Sequence, residues 1–279
     1  MKPTKRPVSP TRSTRSSHRA TGAVPHSPWG WAVGGALAGL LPALLVFAPA
    51  QWLARGLAQA TGGQLLLSEA RGTVWNGSAQ LVLTGGTASQ DRTALPGRVQ
   101  WTLRPTFTGV QAQMQAPCCT VQPLQARLAL GLSQLRVTVG DSQSRWPAAL
   151  LSGLGTPWNT LQPQGQLALQ TRGLQAAWQA GRMVLEGQVQ LDALDMSSRL
   201  STLRPMGSYR LAVQGGEVPI LTLSTLNGHL QLSGTGQWVG QRLRFTGEAS
   251  AAPDREAALT NLLNIIGRRN GARSLINVG

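Results

Sequence analysis

The chain has 279 residues, with 25 Lys and Arg against 10 Asp and Glu, a net charge of +15 and a pI near 11.8. Such a balance raises nucleic-acid binding first, but Arg98, Arg104, Arg136, Arg172, Arg210, Arg242 and Arg244 are scattered over separate segments without the interleaved aromatics of an RNA-binding signature. The excess therefore reads as solvated surface with an electrostatic preference among partners, and neither nucleic acid nor a small-molecule substrate is expected.

Residues 1–28 carry Lys2, Lys5, Arg6, Arg12, Arg15 and Arg19, no acid, and little but Pro, Ser and Thr between them. Such a segment cannot bury enough apolar surface to order itself, so a disordered basic tail is expected. The 28 residues from Ser27 to Ala54 then contain no charge at all. They predict a transmembrane helix over 29–53, anchored by Trp31, Leu41, Phe47 and Trp52. Trp31 and Trp52 lie 21 residues apart, about 31 Å at a helical rise of about 1.5 Å, close to the thickness of a bilayer core. Indole rings favour the headgroup level at each end. The positive-inside rule keeps the tail in the cytoplasm and sends residues 54–279 across. A cleaved signal peptide competes, because Ala48-Pro49-Ala50 has the small-x-small form of a cleavage site, but the apolar run exceeds the usual length of about 7–15 residues.

Gln51 to Ala60 reads as a short helix ended by Thr61-Gly62-Gly63. Beyond it the signal is alternation at period two. Val99, Trp101 and Leu103 alternate with polar neighbours, as do Leu167 and Leu169, Met183 and Leu185, Val189 and Leu191, Tyr209, Leu211 and Val213, Leu230 and Leu232, and Leu243 and Phe245. Glycines at 85–86, 109, 140, 173, 181, 215–216, 240 and 247 punctuate these runs, the pattern of short antiparallel strands. The expected fold is mainly β: a single N-terminal transmembrane helix, then one curved, rolled antiparallel sheet forming a trough or flattened barrel, with a C-terminal amphipathic helix. Two segments break the alternation. Arg145 to Leu154 predicts a short helix, and Ala251 to Gly267 a clear one, with Pro253 in its first turn, Gly267 and Arg268-Arg269 at its close, and Leu259, Leu262, Leu263 and Ile266 forming one apolar stripe. That stripe is expected to cap the trough.

Catalytic chemistry is not legible. His229 is the one histidine after the apolar run, and no nucleophile, base and orienting group come together. Asp192 and Asp195 are three apart on a strand, which aims them at opposite faces. Gly234-Thr-Gly236-Gln-Trp-Val-Gly240 has the wrong spacing for a phosphate loop and reads as turn glycines in a hairpin. Cys118 and Cys119 are adjacent, where a trans peptide makes an ordinary disulfide difficult; they read as a small apolar pair in a β segment, with a vicinal bridge open to an oxidising compartment. No metal, cofactor or enzymatic activity is expected.

Three phrases carry a resemblance. Arg71-Gly-Thr-Val-Trp-Asn-Gly-Ser-Ala79, Gly155-Thr-Pro-Trp-Asn-Thr160 running into Leu161-Gln-Pro-Gln-Gly-Gln-Leu167, and Leu262-Leu-Asn-Ile-Ile-Gly-Arg-Arg269 resemble those of the bacterial type II secretion system protein N family. The likeness covers the chain from the apolar run to its end. It implies a non-enzymatic inner-membrane component of the machine that moves folded proteins from the periplasm across the outer membrane, with other secretion subunits of the inner membrane or periplasm as partners. The basic tail is longer than that role requires. Within the phrases, Trp75 and Trp158 are candidate partner anchors, since Trp is enriched in binding hot spots, with core packing as their bland role. A different class of function, a membrane-anchored periplasmic β-trough that handles lipid, calls for an open apolar groove; a trough filled by Trp and the C-terminal helix favours the secretion component.

Overall fold

The computed structural model describes residues 29–131, 134–179, 182–240 and 242–279; the basic tail and Gly181 lie outside them. Contacts divide the chain at Leu44 and Leu45. In the first unit, α1 (Trp29–Val46) is apolar on all sides, with Pro42 inside it. It is the one helix among the described residues long and apolar enough to cross a membrane, about 27 Å at about 1.5 Å per residue. A helix without a polar face has no soluble surface to present. Trp31 and Phe47 are exposed; the backbone of Leu41 falls within α1, and its side chain lies outside the described set. After Val46 the chain breaks at Pro49 and resumes as α2 (Ala50–Ala60), so Trp31 and Trp52 stand on different helices.

The second unit is one antiparallel sheet. Its strands are β1 (Leu65–Gly72), β2 (Asn76–Thr84), β3 (Arg92–Ala94), β4 (Val99–Thr106), β5 (Gly109–Gln115), β6 (Leu124–Leu130), β7 (Gln134–Val139) and β8 (Ser142–Pro147). A 3-10 turn, Ala148–Leu154, and the one-turn α3 (Trp158–Leu161) interrupt them. Then come β9 (Gln164–Gln179), β10 (Arg182–Ser197), β11 (Gly207–Gly216), β12 (Ile220–Gly228), β13 (Leu230–Val239), β14 (Arg242–Ala251), α4 (Glu256–Ile266), β15 (Arg268–Asn270) and β16 (Arg273–Val278). The order is β1-β2-β4-β5-β6-β7-β9-β10-β11-β12-β13-β14-β16-β15, with β3 beside β2 and β8 beside β9. The sheet is open, since β1 and β15 end the order and do not pair with each other. β7 and β8 share one edge of β9, pairing with Gln175–Gln179 and Gln166–Thr171 respectively. They behave as one long strand broken at Gly140-Asp141.

Two expectations need correcting. Arg145–Leu154 is not a helix: its start pairs with β9 through Arg145↔Ala168 and Trp146↔Leu167, and only Ala148–Leu154 coils, as a 3-10 turn. Strand pairing has overridden a locally helical pattern. The C-terminal helix is real but starts later, at Glu256, because β14 extends to Ala251 and pairs it with Leu230; Arg268-Arg269 belongs to β15.

Three apolar clusters hold the unit. Under α4, Leu259, Leu262 and Leu263 are 0%, 2% and 0% exposed and pack with Leu230, Ala249, Tyr209, Met196, Met206 and Leu167. Leu95, Val99, Ala116, Cys119 and Leu150 form a second. In the third, α2 lays Ala50 and Leu53 against Ala79, Trp101 and Leu67. Glycine makes room where rings cross the sheet: Cβ atoms at Gly234 and Gly247 would run into the Phe245 ring. Gly234 and Gly236 are therefore strand residues of β13 packed on Phe245, and only Gly240, at φ 65°, serves the expected turn.

Candidate functional site

The segment Arg71–Ala79 forms a joint between the start of the sheet and the residues that lead into α2. Gly72 turns the chain at φ 88°, and a Cβ there would stand 2.5 Å from the Asn76 carbonyl oxygen. Thr73 closes the turn, its N–H donating to the Asn76 carbonyl at 2.9 Å and its hydroxyl accepting from the Asn76 N–H at 3.1 Å. The turn then grips the chain leaving α1. The Val74 N–H donates to the Ala48 carbonyl at 2.8 Å, Thr73 bridges to Pro49, and Trp75 Nε1 donates to the Leu45 carbonyl at 2.7 Å. Trp101 Nε1 holds the turn from behind, donating to the Val74 carbonyl at 3.0 Å, and its ring fills the space a Cβ at Gly77 would need. Trp75 is half-buried, and its indole N–H is committed to the joint.

Gly155–Leu167 builds the other side of the sheet's core. Gly155, at φ 78°, approaches Gly85 closely, within 3.4 Å of its Cα for an added Cβ. Asn159 Nδ2 donates to Asp91 at 2.9 Å, and the Leu161 carbonyl accepts from the Ser198 hydroxyl at 2.7 Å. This pins α3 so that Trp158, 37% exposed, lines an apolar cavity of about 360 Å³ between the sheet and α4. Leu161, Met196, Met206, Tyr209, Leu262 and Ile266 line it too. The third phrase supplies its lid: the Leu263 carbonyl accepts from the buried Ser274 hydroxyl, and Gly267 lets the helix exit pass so close to Leu275 that a Cβ would run into its carbonyl oxygen. Tyr209 is buried and its hydroxyl has no hydrogen-bond partner among the described residues. Burial pushes its phenol pKa up. The sequence identified Trp158 and the α4 leucines and placed Tyr209 in an alternating strand, but Met196 and Met206 carried no signal.

The remaining candidates resolve into structural roles. Asp192 and Arg210 pair across β10 and β11 through two bonds of 2.8 Å. The hydrogen bond from Arg210 holds the Asp192 carboxyl below its usual range. Asp195 sits in a β-bulge at φ 51°, its N–H donating to the Ser208 hydroxyl at 3.0 Å. Cys118 and Cys119 are bonded to one another, in the turn after β5 rather than in a strand, so the small apolar pair is corrected to a vicinal disulfide. Cys119 is buried in the second cluster while Cys118 is exposed. Among the described residues no group of His, Cys, Asp and Glu has the makings of a metal site.

No curated protein and no solved structure matches the chain. The family model for type II secretion system protein N matches residues 63–275, a span that contains the joint, α3 and α4, and the chain belongs to that family.

Proposed function

We propose that this type II secretion component is a non-enzymatic scaffold of the inner membrane, with α1 spanning the bilayer, the N terminus in the cytoplasm and the sheet in the periplasm. The observation that carries this reading is the joint. Its main-chain and indole bonds tie the sheet to Leu45, Ala48 and Pro49, around the end of the apolar helix, which supports a sheet that begins where a span ends. Anchoring raises the effective concentration of that surface beside other inner-membrane subunits, so individually weak contacts suffice. Trp158 is the anchor offered to such a subunit, half-exposed at the mouth of an apolar cavity; Trp75 works within the joint.

Deleting the chain tests the reading. Secretion of a type II substrate across the outer membrane, or the level of a partner subunit, should fall while general export into the periplasm is unchanged. A periplasm-active reporter fused after Arg71 should be active, and a silent one reverses the topology.

The cavity favours a second reading, in which the trough holds an acyl chain. Its volume of about 360 Å³ is within the range of ligand pockets, roughly 300–1,000 Å³. Against it, Leu259, Leu262 and Leu263 of α4 are buried on the sheet beside the cavity. Intact secretion with an altered outer-membrane lipid composition on deletion selects the lipid reading over the scaffold.

A further inference from the structure

The registers of the sheet place most of its short turns at one end. β1 and β2 close at Gly72↔Gly77, β4 and β5 at Thr106↔Gly109, β6 and β7 at Leu130↔Leu135, β9 and β10 at Gln179↔Arg182, and β13 and β14 at Val239↔Arg242. The connections that carry α3 and α4 fall at the other end, together with the short β12–β13 connection through His229. The chain leaving α1 enters at the short-turn end, because Leu45, Ala48 and Pro49 are bound to Trp75, Val74 and Thr73 of the β1–β2 turn.

Beside that entry the next hairpin, β4–β5, projects further in the same direction. The Leu103 N–H donates to the Trp75 carbonyl of the β1–β2 turn, so Arg104 to Thr106 extend beyond that turn by roughly 10 Å at about 3.3 Å per residue. The two turns are about two strand spacings apart, roughly 10 Å. At the apex stands Phe107, 112% exposed, a ring with no protein around it. Leu130, the last residue of neighbouring β6 and also exposed, donates its N–H to the Thr108 carbonyl at 2.7 Å, so the two apolar side chains belong to adjoining ends. Behind them, Arg104 and Arg127 both pair with Gln111 from opposite sides, and Arg136 pairs with Ala129 one strand further on. All three are exposed, and the sequence from Arg98 to Asp141 contains no carboxylate between its ends. Apolar tips backed by arginines are the composition of a surface that sits at a bilayer interface, with rings at the acyl boundary and guanidinium groups among anionic headgroups.

We infer that the β4–β5 tip and the adjoining end of β6 dock on the lipid surface, Phe107 and Leu130 entering the leaflet from which α1 emerges and Arg104, Arg127 and Arg136 meeting anionic headgroups. This rests on the reading of α1 as a membrane span. Together with the span, it gives the chain a second attachment to the bilayer.

The chain has three phenylalanines, Phe47, Phe107 and Phe245, which makes fluorine NMR of the full chain, carrying fluorophenylalanine in vesicles with an anionic lipid fraction, a direct test. Phe107→Tyr assigns the resonance. A spin label on the lipid acyl chain should broaden Phe47 and Phe107 several-fold and leave Phe245, buried in the sheet, sharp. Exchanging the anionic lipid for a zwitterionic one should weaken the effect on Phe107 and not on Phe47. Broadening of Phe47 by the lipid label while Phe107 responds only to a soluble paramagnetic chelate overturns the docking and leaves the span intact. If Phe47 also responds only to the chelate, the span reading falls and the docking with it. Shielding of Phe107 from both reagents overturns the inference in favour of a protein surface, such as a second copy, covering the tip.

Discussion

Truncating Leu263 to Ala tests whether α4 belongs to the core of the sheet. Leu263 is fully buried, on the face of α4 that packs over Leu230, Ala249 and Tyr209. The lost methyl and methylene groups are worth about 0.8 kcal/mol per buried carbon. The space they leave adjoins a cluster that already borders the cavity under α4, and a site that does not collapse adds a cavity term, which brings buried Leu→Ala changes to about 2–5 kcal/mol. A central value of about 3 kcal/mol corresponds to a fall in melting temperature of roughly 6–12 °C for a unit of this size. It also corresponds to a loss of about two orders of magnitude in amide protection if α4 opens on its own. The matched control is Ile265→Ala on the same helix, 43% exposed, where a change within about 0.5 kcal/mol is expected. Thermal unfolding and hydrogen exchange of the two variants, read by mass spectrometry over Glu256–Ile266, make the comparison. A Leu263→Ala protein that melts within about 2 °C of the parent, with α4 exchange unchanged, refutes the assignment of that stripe to the core.

Three further outcomes are expected. Asp192→Asn removes a charge-assisted pair with Arg210 on a carboxylate that is mostly buried, at a cost of about 1–2 kcal/mol at neutral pH. Because the folded carboxyl is held below its unfolded range, the pair's contribution is complete above the unfolded pKa of about 3.9 and is lost as pH falls through the lowered folded value. Denaturation midpoints of parent and variant should therefore converge in acid, and a gap that persists there contradicts the assignment. Trp75→Phe deletes the bond to the Leu45 carbonyl at 2.7 Å and keeps most of the ring; about 1 kcal/mol, with faster proteolysis confined to residues 45–50, is expected, and unchanged cleavage there argues that the indole does not hold the joint. Thiol labelling of the unfolded chain without reductant should find neither Cys118 nor Cys119 free, in keeping with their bond; two reactive thiols would return the pair to its reduced reading.

Much of the fold was legible because it rests on local periodicity. Alternation at Val99–Leu103 and Tyr209–Val213 marked β4 and β11, and the spacing of Leu259, Leu262 and Leu263 marked the buried face of α4. What the sequence left open depends on partners distant along the chain. The segment around Trp146 looks helical in isolation and is a strand because β9, twenty residues on, offers it an edge. Gly234 and Gly236 look like turn glycines and are strand residues because Phe245 crosses them. Trp75 was visible as a candidate anchor, yet its partner is the carbonyl of Leu45, thirty residues earlier, a contact that no local pattern encodes. The cavity was illegible for the same reason: Trp158, Met196, Tyr209 and Leu262 reach it from four separate elements.

The division of the sheet into two ends follows from its connectivity and bears on how a scaffold of this kind works. In an antiparallel meander, successive connections fall alternately at opposite ends, so an anchor tied to the first turn shares its end with every second connection. Here those are tight hairpins, and the connections that carry α3 and α4 are left to the other end. From Leu167, beside the cavity, to Gln179 at the hairpin end, β9 covers roughly 40 Å at about 3.3 Å per residue. If α1 crosses the inner membrane as proposed, Trp158 and the cavity stand out in the periplasm, where a subunit not itself against the bilayer can reach them. Trp158→Ala then separates the two surfaces. It should leave membrane attachment and the Phe107 tip unaffected while reducing secretion of a type II substrate, with the chain's own level unchanged on immunoblot. A fall in secretion matched by loss of the chain itself would instead make Trp158 a packing residue of the core beneath α4.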